Sequence, residues 1–120
     1  FRKMYGGGMR QSGILAAAGV YALEHHRARL VDDHANAKLF AETLAGSPGI
    51  LVDLTRVQTN IVMVEFERGT AQAVVELARE EGVLLGSAGS HRVRVVTHLD
   101  VDRDAVLRAA QVITEIAAKL

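Results

Sequence analysis

Ten consecutive residues, Ile14-Leu15-Ala16-Ala17-Ala18-Gly19-Val20-Tyr21-Ala22-Leu23, are apolar or small at every position. A helix built from them has no polar side to offer water, whereas a lone surface helix carries its apolar residues as a stripe on one side. Such a helix needs cover from more than one direction. That cover is hard to find within a chain of 120 residues and natural in a larger protein or a dimer. The segment is entered through Gly6-Gly7-Gly8-Met9-Arg10-Gln11, and the chain opens at Phe1 without a start methionine. Together these features lead to the expectation that the sequence is the last part of a larger protein, with its chemistry divided between this part and an earlier one.

Composition narrows the partners. Apolar residues make up 49% of the chain, which excludes a disordered tail. Fourteen basic and fourteen acidic side chains cancel, so no global field recruits nucleic acid, and three Phe with two Tyr give no stacking platform. No apolar run approaches the length that spans a bilayer, and no signal-peptide pattern opens the chain. Cysteine is absent, which removes disulfides and thiolate metal sites and fits a cytoplasmic protein.

The order of elements follows from periodicity and punctuation. Residues from about 9 to 26 read as a first helix. A second runs from Arg27 or Arg29 to Leu44, with Leu30, His34, Ala37 or Lys38, Ala41 and Leu44 or Ala45 near helical spacing and Asp32, Asp33, Lys38 and Glu42 on its wetter side. Gly46-Ser47-Pro48-Gly49 stops it. Ile50 to Leu54 is a short strand, and Asn60 to Phe66 a stronger, interior one with part of each face covered. Thr70 caps a helix from Ala71 to Glu81. Val83 to Gly86 is a brief strand, Ser87 to Ser90 a loop, and Val93 to Thr97 a third clear strand. Asp100 or Asp102 caps a last helix from Arg103 to Lys119. The fold class expected is α+β: a small, mostly antiparallel sheet covered by helices.

Two segments carry chemistry. Three glycines before a helix, followed by Arg10, suit a tight turn and an anion site made of backbone N–H groups and a cation; the alternative is a flexible linker. In Arg92-Val93-Arg94-Val95-Val96-Thr97, alternation puts Arg92, Arg94 and Val96 on one face and Val93, Val95 and Thr97 on the other. A guanidinium amid β-branched residues suits a carboxylate gripped by two parallel hydrogen bonds. The alternative is an ion pair with Glu65, Glu67 or Asp53 across the sheet. Arg94 is favoured over Arg92 because it lies deeper in the strand. The five histidines show no metal-ligand spacing, and His34 reads as a half-buried packing residue. No nucleophile elbow occurs. Lys3, Lys38 and Lys119 lie near the ends or among polar groups, so none has the setting of a catalytic lysine.

Taken in register, four segments resemble the low-specificity L-threonine aldolases, pyridoxal-phosphate enzymes of the aspartate-aminotransferase-like group. The segments are Arg2 to Ala18, Asp33-His34-Ala35-Asn36-Ala37, Val57-Gln58-Thr59-Asn60-Ile61-Val62, and Arg94-Val95-Val96-Thr97-His98-Leu99-Asp100. The resemblance covers nearly the whole chain; Tyr5 stands where leucine is more usual. It implies the C-terminal domain of a fold type I enzyme, with residues 1–26 as the linking helix from a large N-terminal domain and residues 27–120 as the small domain. It implies cleavage of L-threonine, L-allo-threonine and related 3-hydroxy amino acids to glycine and an aldehyde, in a cytoplasmic dimer or tetramer. Pyridoxal phosphate would be bound mainly by the large domain, which would also carry the Schiff-base lysine. Arg94 then matches the arginine that grips the substrate carboxylate. Arg10 matches an arginine near the cofactor phosphate, reaching a neighbouring subunit's site. No catalytic residue and no metal ligand falls in this chain, so alone it should not turn over substrate.

Two other readings stand beside this one. The chain could belong to another pyridoxal-phosphate lyase or an aminotransferase-like enzyme, or be a free-standing dimerisation or regulatory module. A free module should show a start methionine and a polar outer face on residues 14–23, and the sequence has neither.

Overall fold

The computed structural model describes all residues from Phe1 to Leu120. The chain divides into two compact units, Phe1–Leu30 and Val31–Leu120.

The first unit holds the glycine run and the helix α1, Gly13–His25. The glycines form tight turns closed by Gly6 N–H to the Lys3 carbonyl, 3.1 Å, and Gly7 N–H to the Arg2 carbonyl, 2.8 Å. Gly6 adopts the left-handed region at φ 80°. A Cβ on Gly7 would lie 2.7 Å from the Arg2 carbonyl oxygen. Two of the three glycines are thus required by the backbone geometry. The helix starts at Gly13 instead of near Met9, because Gln11 is left-handed at φ 49° and Ser12 makes no capping hydrogen bond. As the sequence leads one to expect, α1 has no polar side, and it buries none of its residues. Within it Tyr21 is stacked on His25, one turn on, with ring centroids 4.1 Å apart.

The helix α2, Leu30–Leu44, leads into the second unit, whose sheet has four strands in the order β1-β2-β4-β3. These are β1, Ile50–Leu51; β2, Ile61–Phe66; β3, Gly86–Ser87; and β4, Arg92–Val96, all paired antiparallel. The helices α3, Ala71–Glu80, and α4, Arg103–Lys119, complete the unit. Thr70 caps α3 by accepting from the Ala73 amide, and Asp102, not Asp100, caps α4 by accepting from the Ala105 amide. The α+β expectation, a small antiparallel sheet with helices, describes what is seen.

One core holds the unit together. Val62, Val64 and Phe66 of β2 and Val93 of β4 point to the same side of the sheet. There they meet Ala37, Phe40, Ala41 and Leu44 of α2, Ala71, Val74 and Ala78 of α3, and Val106, Ala110, Ile113 and Ile116 of α4. Each large side chain buried here contributes about 1.5–3 kcal/mol relative to exposure. The opposite side of the sheet is uncovered. Ile61, Met63 and Glu65 of β2 alternate with the buried valines and are exposed, as are Leu51, Arg92, Arg94 and Val96. The expectation that β2 has both faces partly covered is therefore corrected: within this chain it is interior by its hydrogen bonding and one-sided by its packing.

Three further expectations change. The buried stripe of α2 runs through Asp33, Ala37, Phe40, Ala41 and Leu44, so Asp33 is buried and His34 exposed. The first strand stops at Leu51, because Asp53 accepts from the Thr55 amide and starts a 3-10 turn at Leu54–Arg56. Strand β3 lies at Gly86–Ser87, later than Val83 to Gly86, set by Gly86 pairing with Arg94 and Ser87 with Val93.

Candidate functional site

The period of two along β4 decides which way each side chain faces. Val93 packs into the core, and Arg92 and Arg94 point to the uncovered side. Register places Met63 opposite Arg94 and Glu65 opposite Arg92. On its other flank Arg94 is paired with Gly86, where a Cβ would stand 4.0 Å from Arg94 Nη2. The guanidinium therefore lies along a neighbour without a side chain, with an apolar thioether on the other flank.

The β-branched neighbours of Arg94 do not bury it. Arg94 is exposed and has no ion pair or hydrogen bond from its side chain within the chain. Glu65 lies opposite Arg92 instead. The cross-sheet ion pair weighed for Arg94 is not formed. Its five donors are left open to a planar anion.

Along β1 and β2 the uncovered side dips into a concavity of about 490 Å³ that Arg92, and not Arg94, lines. Its floor is Leu51, Ile61 and Met63, and Asp53, Arg56, Glu65 and Arg92 carry charge around it. Asp53 is held below the usual carboxylate range, first by the Thr55 hydroxyl donating to it and then by the Thr55 amide, with Arg56 adding a smaller effect. Both bonds fall on Asp53 Oδ1, at 2.6 Å from the hydroxyl and 3.0 Å from the amide. The concavity is made by the stretch from Leu51 to Glu65, closed by Arg92 of β4.

Arg10 belongs to the first unit. It is exposed in the bend between the glycine turns and α1, two residues before the Ser12 N-cap. The first amides of α1 and a nearby cation are the chemistry that favours a phosphate. The lysines do not supply a cofactor-anchoring amine in a pocket: Lys38 Nζ lies on the surface of α2 beside Glu42, and Lys3 and Lys119 are exposed. Each unit thus offers one cation open to an anion, Arg10 in the first and Arg94 in the second, and neither offers a lysine in a pocket. No three His, Asp or Glu side chains converge on a point, and no helix is long and apolar enough to cross a membrane.

The resemblances are extensive. A low specificity L-threonine aldolase of Escherichia coli (strain K12) is 46% identical over 110 residues, which cover 92% of this chain and 32% of that protein. A low-specificity L-threonine aldolase 1 of Arabidopsis thaliana is 42% identical over 100 residues, covering 81% of this chain and 28% of that one. The chain thus spans about a third of the length of the curated relatives it matches. The fold is shared with part of a solved structure of MppP soaked with the product 2-ketoarginine. The TM-score there is 0.65 at 19% identity, over 80% of this chain and 30% of that one. A structure of DesI in the presence of its TDP-sugar product gives 0.57 at 21% identity, over 75% and 31% of the two chains. The family model for beta-eliminating lyases matches residues 1–67, more than half of the sequence. By that match, the chain belongs to the beta-eliminating lyase family.

Proposed function

We propose that this chain is the C-terminal portion of a pyridoxal-phosphate-dependent threonine aldolase, a lyase that cleaves L-threonine, L-allo-threonine and related 3-hydroxy amino acids to glycine and an aldehyde. The observation that carries the reading is the 46% identity to the Escherichia coli aldolase across 92% of the chain. The open guanidinium of Arg94 supports it. In this reading residues 1–26 link to a large N-terminal domain and residues 27–120 form the small domain. The protein works as a homodimer or homotetramer in the cytoplasm, with which the absence of cysteine agrees.

Bound pyridoxal phosphate supplies an electron sink for the bond that breaks between the α- and β-carbons. Arg94 binds the α-carboxylate through two parallel N–H···O bonds, which fixes the amino acid in two dimensions and leaves rotation about one axis to be set elsewhere. The Met63 and Gly86 flanks add no competing acceptor from a side chain, so the fork is spent on the substrate. Arg10 and the start of α1 would hold the cofactor phosphate, with Arg10 reaching across a subunit boundary. Residues that take the proton from the 3-hydroxyl belong to the large domain, so the chain by itself is inactive.

The test is to assay the complete protein, loaded with pyridoxal phosphate, for acetaldehyde and glycine released from threonine, beside residues 1–120 alone. Cleavage by the complete protein only is expected. Because the family is that of beta-eliminating lyases, elimination from β-substituted amino acids is the second reading. A complete protein that releases pyruvate from such a substrate and leaves threonine intact would establish it. Acetaldehyde released at an enzymatic rate by residues 1–120 would overturn the division of labour.

A further inference from the structure

Three of the segments that resemble the aldolases meet at one residue, Thr97, which has no assigned role. Its amide donates to the Asn60 carbonyl, 3.0 Å, and its carbonyl accepts from Asn60 Nδ2, 2.8 Å. Its hydroxyl donates to the Asp33 carbonyl in the first turn of α2, 2.6 Å. One turn further along α2, Asn36 Nδ2 donates to the Val101 carbonyl, 3.2 Å, in the loop that leaves β4. Asn60 and Thr97 add one rung to the β2–β4 ladder just beyond the Ile61–Val96 pair, and the side chain of Asn60 closes that rung a second time.

From this we infer that Thr97 and Asn60 are positioning residues for Arg94. The inference rests on the reading that Arg94 holds the substrate carboxylate. The β2–β4 ladder is short, running from the Ile61–Val96 pair to the Glu65–Arg92 pair. A slip of one residue would turn Arg94 into the core and Val93 or Val95 out of it. Thr97 lies three residues beyond Arg94, about 10 Å along the strand, and fixes the end of β4 against both β2 and α2. For packing alone a valine would fill the same space in this buried position. The hydroxyl adds direction: it ties the strand to a helix whose own face is locked in the core by Phe40 and Leu44. A bidentate contact tolerates little displacement, so the strand end sets how well the guanidinium meets its carboxylate.

The experiment uses the complete protein loaded with pyridoxal phosphate and compares Thr97→Val, Thr97→Ser, Asn60→Ala and Arg94→Ala. Thr97→Val should raise KM for threonine roughly three- to tenfold, since small misplacements of a binding group weaken it strongly. Its kcat should stay within about twofold, the signature of lost binding common to ground and transition states. Thr97→Ser, which keeps the hydroxyl, should restore KM. A purely structural role would lower the melting temperature in Thr97→Val and leave KM alone, and that result overturns the inference. So does a serine variant as impaired as the valine one. If Thr97→Val does not fold, Asn60→Ala decides: unchanged KM overturns the inference and raised KM supports it. Unchanged KM in Arg94→Ala overturns the carboxylate reading and this inference with it. Raised KM in Arg94→Ala beside normal KM in a folded Thr97→Val enzyme overturns this inference alone.

Discussion

Arg94 stands directly opposite Met63 in the β2–β4 ladder, on the side of the sheet that the helices of its unit leave uncovered. The pairing gives the arginine an apolar neighbour where a carboxylate one position along would have neutralised it. Glu65 occupies that next same-face position and lies opposite Arg92.

The first prediction follows from this placement. In the complete enzyme Arg94→Ala should lower kcat/KM by about 2–4 kcal/mol, the range for removing one partner of a desolvated charge pair. Arg94→Lys should recover only part of that, because an ammonium is a point charge without the planar fork. Steady-state kinetics on threonine check both; activity of Arg94→Ala within about twofold of the unaltered enzyme would remove Arg94 from the site.

The second concerns Arg10. Its exposed guanidinium stands two residues before the N-cap of α1, in a segment whose turns already need Gly6 and Gly7. Arg10→Ala should weaken the retention of pyridoxal phosphate in the complete protein and leave the thermal unfolding of the apoenzyme unchanged. Cofactor titration followed by absorbance reads the first, and calorimetry the second. Equal affinity in the variant and the unaltered protein would assign the arginine no part in phosphate binding.

Much of this architecture is legible in the sequence where the determinants are local. Thr70 before Ala71 and Asp102 before Arg103 are capping residues, and both cap. The alternation in Ile61-Val62-Met63-Val64-Glu65-Phe66 fixes the two faces of β2, and the same rule places Arg94 with Arg92 and away from Val93. What escapes is set by distant partners. Asp33 and His34 are neighbours, and which of them turns inward depends on which face of α2 packs in the core, the one that carries Ala37, Phe40, Ala41 and Leu44. The end of β1 depends on the Asp53 carboxylate accepting from the Thr55 amide, a bond that no propensity records. The start of β3 depends on the pairing of Gly86 with Arg94. The same holds around the candidate site: the facing of Arg94 could be read from its strand, whereas the Asn60–Thr97 rung needs the two segments side by side.

The third prediction is a matter of pH. The Thr55 hydroxyl and amide both favour the ionised form of Asp53, so its folded-state pKa lies below the unfolded one. The contribution of this turn to stability is then complete above the unfolded pKa and is lost as pH falls through the folded one. The group is exposed, so the effect is modest and screened by salt. Thr55→Val removes the larger cause and should move the Asp53 titration upward, as followed by carboxyl carbon shifts in nuclear magnetic resonance. An unmoved titration would mean that the hydroxyl bond is not kept in solution.

The fourth prediction returns to the helix without a polar side. Ile14, Leu15, Val20, Tyr21 and Leu23 are between 53% and 76% exposed. Burying each would contribute about 1.5–3 kcal/mol, and a helix of 13 residues is marginal in water without such burial. In the proposed enzyme one side of α1 meets the large domain and another meets a partner subunit, as in obligate assemblies. Residues 1–120 expressed alone should therefore either self-associate or show α1 poorly protected. Hydrogen exchange on the monomeric chain separates the two units. Amides of Val62, Val64 and Val93, inside the sheet and the core, should exchange slowly. Those of residues 14–23 should exchange at rates near those of an unfolded peptide, and Leu15→Gln or Leu23→Lys should improve solubility without shifting the unfolding of residues 31–120. Strong protection of residues 14–23 in a monomer would show that the helix finds its cover within these 120 residues and would remove the need for a partner.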